Sequence, residues 1–150
     1  MSSIQMRVVV AVAALAGAPL LPAWAADAPK LVKVDKAQAA GPIFKSNKAV
    51  KEKGPGGPAT DVNMLVSADK RLAAGLYEAG PSDSKIEAYP VDEFCYFISG
   101  SVRLTSEDGT VLEVKAGEAV TLPKGWKGRW QTSGYTKYYV VYDSAAKPST

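Results

Sequence analysis

The stretch Glu93–Trp130 decides the fold of this 150-residue chain. It opens with Glu-Phe-Cys-Tyr-Phe-Ile-Ser-Gly over residues 93–100 and continues as Ser-Val-Arg-Leu to Leu104. This run is rich in aromatic and β-branched residues and predicts a strand. Ser-Glu-Asp-Gly over 106–109 predicts a turn, and an alternating Val-Leu-Glu-Val run follows over 111–114. We therefore expect the two runs to pair as a β-hairpin.

Further short apolar runs lie on both sides of this hairpin, and several end at turn signals such as Gly80-Pro81 and Pro123-Lys124-Gly125. The additional predicted strands are 64–66, 72–77, 86–91, 119–122, 126–130 and 137–142. The alanines of 72–76 also allow the start of a helix, although Gly75 argues against its continuation. Short strands separated by turn signals indicate an all-β sandwich or barrel.

The first residues have the pattern of a secretory signal peptide. Arg7 precedes an apolar run over 8–21, and Ala23-Trp24-Ala25 has the small-x-small form that signal peptidase reads. Cleavage after Ala25 predicts a periplasmic or secreted protein that has no membrane contact once the signal is removed. The alternative is an uncleaved anchor, but the run is shorter than the ~20 residues that span a bilayer.

The rest of the chain is predicted to contain one barrel with an N-terminal extension. The predicted segments are a signal peptide over 1–25, an arm and loop over 26–61, the barrel over 62–142 and a disordered tail over 143–150. Within the arm, Leu31–Val34 can form a short strand at a sheet edge or against a second subunit, and we expect a homodimer. Gly54-Pro-Gly-Gly-Pro58 predicts a loop.

Composition excludes several kinds of site. The chain contains no histidine, which is the usual acid–base group at neutral pH and the commonest transition-metal ligand. Its single cysteine, Cys95, cannot form an internal disulfide and is expected to be a buried apolar residue rather than a reactive thiol. The formal net charge of +3 is too small to indicate a nucleic-acid partner.

The central stretch resembles the cupin superfamily of small jelly-roll barrels. Glu93 and Gly100 match the glutamate and closing glycine of the first cupin motif, and Gly117, Pro123 and Gly125 match the second. Tyr-Phe-Ile-Ser-Gly over 96–100 and Gly-Trp-Lys-Gly-Arg-Trp over 125–130 are similar to the branch labelled (S)-ureidoglycine aminohydrolase-like. The resemblance implies an all-β jelly-roll barrel.

The family's usual metal site is incomplete in this sequence. The resemblance implies a His-His-Glu-His ligand set, but Glu87, Tyr89 and Gly128 stand where the three histidines would be. Only Glu93 matches. Because transition-metal sites take several protein donors, we predict a degenerate metal site with no metal ligands and no cofactor.

Strand alternation and the family pattern suggest which side chains face the barrel interior. The predicted ligand-binding residues are Glu87, Tyr89, Glu93, Cys95, Trp126 and Trp130. Aromatic walls and fixed carboxylates are typical of a site for a small polar molecule. Three interpretations stay open: core-filling tryptophans with Glu87 in solvent, a ligand pocket without turnover, or a hydrolase, lyase or isomerase similar to (S)-ureidoglycine aminohydrolase. In the last, Glu93 is the catalytic candidate, with no metal or with a non-standard one.

Overall fold

The computed structural model of the chain describes residues 30–54 and 57–146. The chain divides into two units, 1–31 and 32–150. Of the first unit only Lys30 and Leu31 are described, and neither lies in a helix or strand. The predicted signal peptide over 1–25 lies outside the described residues. No helix among the described residues is long and apolar enough to cross a membrane.

The second unit is almost entirely β-structure. It begins with a short helix, α1 (Lys36–Ala39), and a 3-10 helix (Pro42–Lys45). Asp35 caps α1, because its carboxylate accepts from the Gln38 backbone N–H at 2.8 Å while the Gln38 side chain accepts from the Asp35 N–H at 3.1 Å. The strands are β1 (Val50–Gly54), β2 (Gly57–Val66), β3 (Leu72–Ala79), β4 (Ser82–Ile86), β5 (Asp92–Ser106), β6 (Val111–Lys115), β7 (Ala119–Leu122) and β8 (Gly128–Tyr142).

All these strands belong to one antiparallel sheet, with the order β1-β2-β3-β8-β5-β6. Strand β4 also pairs with β8, and β7 pairs with β5. The long strands β5 and β8 pair along their whole lengths, from Asp92 opposite Tyr142 to Ser106 opposite Gly128. This arrangement confirms the predicted all-β jelly-roll barrel.

Two apolar clusters fill the unit. One contains buried side chains from β5, β6, β7 and β8, with Phe97 and Val102 at its centre. The other packs Phe44 of the 3-10 helix and Ala39 of α1 against Val62 and Leu76. The first cluster extends towards the aromatic residues that surround the candidate site.

Several predicted elements are confirmed. Strands β5 and β6 form the expected hairpin, with Ser101 opposite Lys115 and Thr105 opposite Val111. Its turn is closed by the Gly109 N–H, which donates to the Ser106 carbonyl at 2.9 Å. Strand β7 has the predicted bounds, 119–122. Asp, Ser and Gly in the turn and β-branched residues in the strands explain this agreement.

The N-terminal part of the sheet was predicted incorrectly. Gly54 ends β1, and Gly57 and Pro58 begin β2, so the segment predicted as a loop contains the ends of two paired strands. The sheet consequently starts at Val50, before the predicted barrel boundary at residue 62. Residues 30–35 contain no strand, and Val34 instead packs against the second apolar cluster.

Other boundaries also differ from the predictions, and the two strands predicted over 126–130 and 137–142 are one continuous strand, β8. Strand β4 lies over 82–86, whereas a strand was predicted over 86–91. Of the tail predicted to be disordered, residues 143–146 are described and form a turn after β8. The Asp143 N–H donates to the Arg71 carbonyl at 2.7 Å, which fixes the start of this segment. Residues 147–150 lie outside the described part of the chain.

Candidate functional site

A buried ion pair lies at the centre of the candidate site. Lys137 of β8 is opposite Phe97 of β5 in the strand register, and Glu93 lies further along β5. The long lysine side chain extends past Cys95, and its Nζ atom donates to Oε1 of Glu93 at 2.8 Å. The side chains of Lys137 and Glu93 are only 6% and 5% exposed. Two opposite charges are thus held together away from water.

The groups around this pair satisfy both of its members. The Tyr89 hydroxyl donates to Oε2 of Glu93, so each carboxylate oxygen has a donor. The Lys137 Nζ atom also lies 3.3 Å from the Cys95 sulfur. Three aromatic rings lie around the ammonium, with centroids at 5.3 Å for Trp130, 5.7 Å for Tyr77 and 5.8 Å for Tyr135. Rings at these distances attract a cation.

Burial and charge set the protonation states here. Burial alone would lower the pKa of Lys137, but the adjacent Glu93 carboxylate raises it well above the ordinary lysine value. Burial raises the pKa of the Cys95 thiol to about 12. Burial also raises the pKa of the Tyr89 phenol above its ordinary value. At neutral pH the site therefore holds an ammonium, a neutral thiol and a neutral phenol.

A cavity of about 350 Å³ opens above the ion pair. Its aromatic lining is formed by Tyr77, Tyr89, Trp130, Tyr135 and Tyr139. The Tyr89 and Trp130 rings are stacked, with centroids 6.4 Å apart and planes 7° from parallel. Aromatic walls around a few polar groups are the usual construction of a small-molecule site.

A second polar group lies on the same cavity wall. Oδ1 of Asp61 on β2 accepts a hydrogen bond from the Tyr139 hydroxyl at 2.8 Å, and Oδ2 accepts from the Asn63 side-chain amide at 2.7 Å. Burial raises the pKa of Asp61, although the Tyr139 hydrogen bond opposes this effect. Glu52 of β1 also lines the cavity. The lining thus contains three carboxylates, Glu52, Asp61 and Glu93, and one ammonium, Lys137.

The Tyr139 ring reaches this position because Gly75 lies beneath it. Gly75 is opposite Tyr139 in the β3–β8 register. A Cβ atom at Gly75 would lie 2.8 Å from the Tyr139 hydroxyl oxygen and 2.4 Å from the Val62 carbonyl oxygen. A glycine here permits the close approach of ring and backbone that places Tyr139 against Asp61.

Three predicted site residues come together in the cavity lining, namely Tyr89, Glu93 and Trp130. Cys95 is fully buried and contacts Lys137 from β5 rather than lining the cavity. Trp126 packs against the first apolar cluster beside the Tyr89 ring, and its indole Nε1 donates to the Ser106 hydroxyl at 3.1 Å. Its location agrees with the core-filling interpretation of that residue.

The prediction that Glu87 faces the pocket is wrong. Its side chain is 77% exposed and forms an ion pair with Lys85 at 2.8 Å. Strand β4 ends at Ile86, and its even-numbered residues are the less exposed ones, so alternation directs Lys85 outward. The chain then leaves the sheet over 87–91, and the strand parity assumed to link Glu87 with Tyr89 does not apply.

Sequence reasoning missed several residues of the cavity lining, and the most important of them is Lys137. It was assigned to the last strand, but not to the site, since lysine is rarely buried. Its position in the sequence could have indicated an inward-facing side chain, because Tyr135, Lys137 and Tyr139 are two residues apart and lie on one face of β8. Tyr135 and Tyr139 are buried, so the lysine between them must also face inward.

These residues do not fit a divalent metal. Of the positions implied by the cupin motifs, Glu87 is on the surface, Tyr89 donates to Glu93, and Gly128 has no side chain. The Trp126 ring fills the space beside Gly128, where an added Cβ would lie 2.6 Å from Cζ2. No group of three or more histidine, cysteine or acidic side chains suited to a metal occurs in the described part of the chain.

Comparison with known proteins agrees with the fold. Residues 66–139 match the family described as the EutQ-like cupin domain. The barrel is a cupin domain. The matched segment contains Glu93 and Lys137, so both members of the buried pair belong to the cupin domain itself.

Solved structures resemble this cupin domain at low sequence identity. The EutQ protein of Clostridium difficile is 20% identical, with a TM-score of 0.52 over 76% of this chain and 82% of its own. A protein of unknown function from Rhizobium leguminosarum is also 20% identical, with a TM-score of 0.53 over 77% of this chain and 99% of its own. A comparison with curated proteins gave no match. Likeness at this level supports the fold alone, and the family match is to the EutQ-like cupin domain rather than to the aminohydrolase-like branch.

Proposed function

We propose that this cupin domain binds a small organic molecule in the barrel cavity, through hydrogen-bond donors carried by the ligand. The observation that supports this proposal is the composition of the cavity. Aromatic rings surround a buried Glu93–Lys137 pair, and two further carboxylates, Asp61 and Glu52, line the same space. If the predicted signal peptide is cleaved, the ligand is met in the periplasm or outside the cell.

The size of the cavity suits a small ligand. Engineered protein cavities of about 150 Å³ already hold one benzene molecule. The space here is about 350 Å³, enough for a single ring or a short chain with polar substituents. A flat ligand can stack on Tyr77 or Tyr135, whose own ring centroids are 6.5 Å apart with the planes inclined by 29°.

The charges of the lining favour donors over acceptors on the ligand. Lys137 already donates to Glu93, and this pair is neutral as a unit. Asp61 and Glu52 add carboxylate oxygens. Asp61 is less buried than Glu93, and each of its oxygens has a second lone pair that can accept from a ligand in addition to Tyr139 or Asn63. An amine or hydroxyl finds partners here, whereas a carboxylate meets like charge. We infer that amines and alcohols bind better than acids of the same size.

Binding is supported better than catalysis by the surroundings of Glu93. A general base needs a carboxylate oxygen free to take a proton from the substrate. Here Oε1 accepts from Lys137 and Oε2 accepts from Tyr89. The aminohydrolase-like alternative is therefore not favoured, since its catalytic candidate is engaged on both oxygens.

Three size-matched probes test the proposal, namely benzylamine, benzyl alcohol and benzoate. Isothermal titration of the mature chain should give the tightest binding for benzylamine, weaker binding for benzyl alcohol and the weakest for benzoate. Glu52→Gln should weaken benzylamine about two- to fivefold, as expected for the loss of an exposed charge pair. Glu113→Gln is the matched control, because Glu113 lies on the β5–β6 hairpin and does not line the cavity.

Two results would contradict the proposal. One is an absence of binding by all three probes at millimolar concentration. The other is tighter binding of benzoate than of benzylamine, which would show that Lys137 rather than the carboxylates dominates recognition.

A further inference from the structure

We propose that the Lys137 ammonium is the built-in cation of this cupin barrel, and that it takes the position on Glu93 that a divalent metal would otherwise need. The barrel is thereby metal-independent. This inference rests on the ion pair and its surroundings, and it does not depend on which ligand the cavity holds.

The first argument concerns the retained carboxylate. Glu93 is the one position of the family's metal set that this sequence keeps, and its side chain is 5% exposed. A buried carboxylate is costly unless an opposite charge compensates it. Lys137 Nζ provides that charge at 2.8 Å from Oε1. A metal bound to Glu93 at the same oxygen would have to displace the ammonium.

The second argument concerns the rest of the coordination sphere. Lys137 Nζ lies among groups that can serve as metal donors, because Cys95 Sγ is 3.3 Å away and the Tyr89 hydroxyl contacts the same carboxylate. Ammonium is not a metal donor, and it repels a divalent cation. With lysine at residue 137, the oxygen and sulfur atoms of Glu93 and Cys95 contact an ammonium and are not available to bind a metal.

The third argument concerns the neighbouring space. The Trp126 ring lies where a side chain at residue 128 would project, with Cζ2 2.6 Å from an added Cβ. The Trp130 and Tyr77 rings also lie near the ammonium, with centroids at 5.3 Å and 5.7 Å from Nζ. The aromatic groups suit a monovalent organic cation, which needs no additional donors. The Trp126 ring leaves no room for a metal ligand at residue 128, and with lysine at residue 137 the remaining donors are too few for a transition metal.

Replacement of the lysine by a metal ligand tests this inference. Lys137→His places an imidazole beside Glu93 and Cys95, and carboxylate, imidazole and thiolate are all zinc ligands. We expect the wild type to retain no stoichiometric Zn²⁺ after incubation and desalting, and Lys137→His to retain about one equivalent. Metal content is measured by mass spectrometry on protein purified without a histidine tag. Lys137→His/Glu93→Gln should lose the bound zinc.

Arg129→His is the matched control. Arg129 also donates to a carboxylate, with its Nε 2.7 Å from Oδ1 of Asp83, but this pair is exposed. In Arg129→His an imidazole replaces the guanidinium beside the exposed Asp83 carboxylate. This variant should bind no zinc, because no other metal donors enclose that position. Co²⁺ in place of Zn²⁺ adds a spectroscopic readout, since a Cys95 thiolate bound to cobalt gives a charge-transfer band in Lys137→His.

The outcomes are distinct. A stoichiometric metal in the wild type that is lost in Glu93→Gln would overturn the inference, as would a folded Lys137→His variant that binds no zinc. If Lys137→His is unfolded without metal, Zn²⁺ should refold it, because metal-binding free energy then appears as folding free energy. Failure of zinc to refold it would also overturn the inference. Ligand binding by the wild type, measured with benzylamine in the presence of a chelator, is assessed separately.

Discussion

The Nζ atom of Lys137 lies 2.8 Å from Oε1 of Glu93, and both side chains are shielded from water. Strands β8 and β5 hold the two charges next to each other on the inner face of the barrel. Burial is unfavourable for either charge alone, and the pair is tolerated because each compensates the other and Tyr89 satisfies the second carboxylate oxygen. This contact makes the pair neutral as a unit, so Asp61 and Glu52 set the remaining charge of the cavity lining.

Removal of either charge should therefore destabilise the protein more than removal of both. Lys137→Met or Glu93→Met alone leaves a buried charge without its partner and should each lower the free energy of unfolding by about 3–5 kcal/mol. The double variant should lose clearly less than the sum of the two, because no uncompensated charge remains. Urea denaturation of the four proteins measures this cycle.

The exposed Asp83–Arg129 pair is the control for that cycle. Its atoms are as close as those of the buried pair, at 2.6 Å, yet both side chains are about half exposed. Asp83→Asn and Arg129→Met should therefore change stability little, singly or together. Strict additivity at Glu93 and Lys137 would contradict the compensation argument.

The sequence predicted the fold well where local chemistry and the final structure agree. The β5–β6 hairpin has β-branched strands and an Asp-Gly turn, and both features appear in the sheet. Strand β1 and the first part of β2 were missed, whereas the end of β2 lies in the strand predicted over 64–66. The missed residues include the charged run of β1 and the Gly-Pro that starts β2, which are rare in strands. Their pairing with each other and with β3 overrides these weak local preferences.

The candidate site was only partly predictable. Glu93 and Tyr89 were found from the motif, but a motif gives no information about a partner far along the chain. Lys137 reaches Glu93 across 44 residues, and only the pairing of β8 with β5 brings them together. Glu87 was misplaced because alternation was extended beyond the end of a strand. The homodimer and the exported location remain predictions.

Loss of the Tyr89 hydroxyl should lower the stability of the protein without removing a charge. In Tyr89→Phe, Oε2 of Glu93 loses its donor while the stacked ring at Trp130 remains. We expect a loss of about 1–3 kcal/mol in the free energy of unfolding, the usual cost of an unsatisfied buried polar group. Tyr96→Phe, at an exposed position on the same strand as Glu93, should change it by no more than about 0.5 kcal/mol. Equal effects in the two variants would argue against the Tyr89 hydrogen bond.

A methyl group at Gly75 should disturb the Asp61 side of the cavity. Gly75→Ala brings its Cβ within 2.4 Å of the Val62 carbonyl oxygen and 2.8 Å of the Tyr139 hydroxyl oxygen. The backbone or the ring must shift, at a cost of about 1–3 kcal/mol. At Gly80 the nearest atom to an added Cβ, the Pro58 carbonyl oxygen, is 3.7 Å away. Thermal denaturation should thus show a clear loss for Gly75→Ala and little change for Gly80→Ala, and similar melting temperatures would contradict the close approach.

Cys95 should make stability depend on pH in the alkaline range. Burial raises the pKa of its thiol to about 12, from the ordinary value of 9.0 that applies in the unfolded chain. Between these values the folded chain keeps a proton that the unfolded chain has lost, so the free energy of unfolding falls as the pH rises above 9.0. The contribution has a limiting slope of about 1.4 kcal/mol per pH unit.

Comparison with Cys95→Ala separates the ionisation of the thiol from that of the tyrosines, because the tyrosines titrate in both proteins. The difference in unfolding free energy between wild type and variant should be constant below pH 9.0 and should shift in favour of the variant above it. Urea denaturation at a series of pH values gives that difference directly. A difference that stays constant through the alkaline range would mean that the thiol ionises equally easily in both states, and therefore that Cys95 is not shielded beside Lys137.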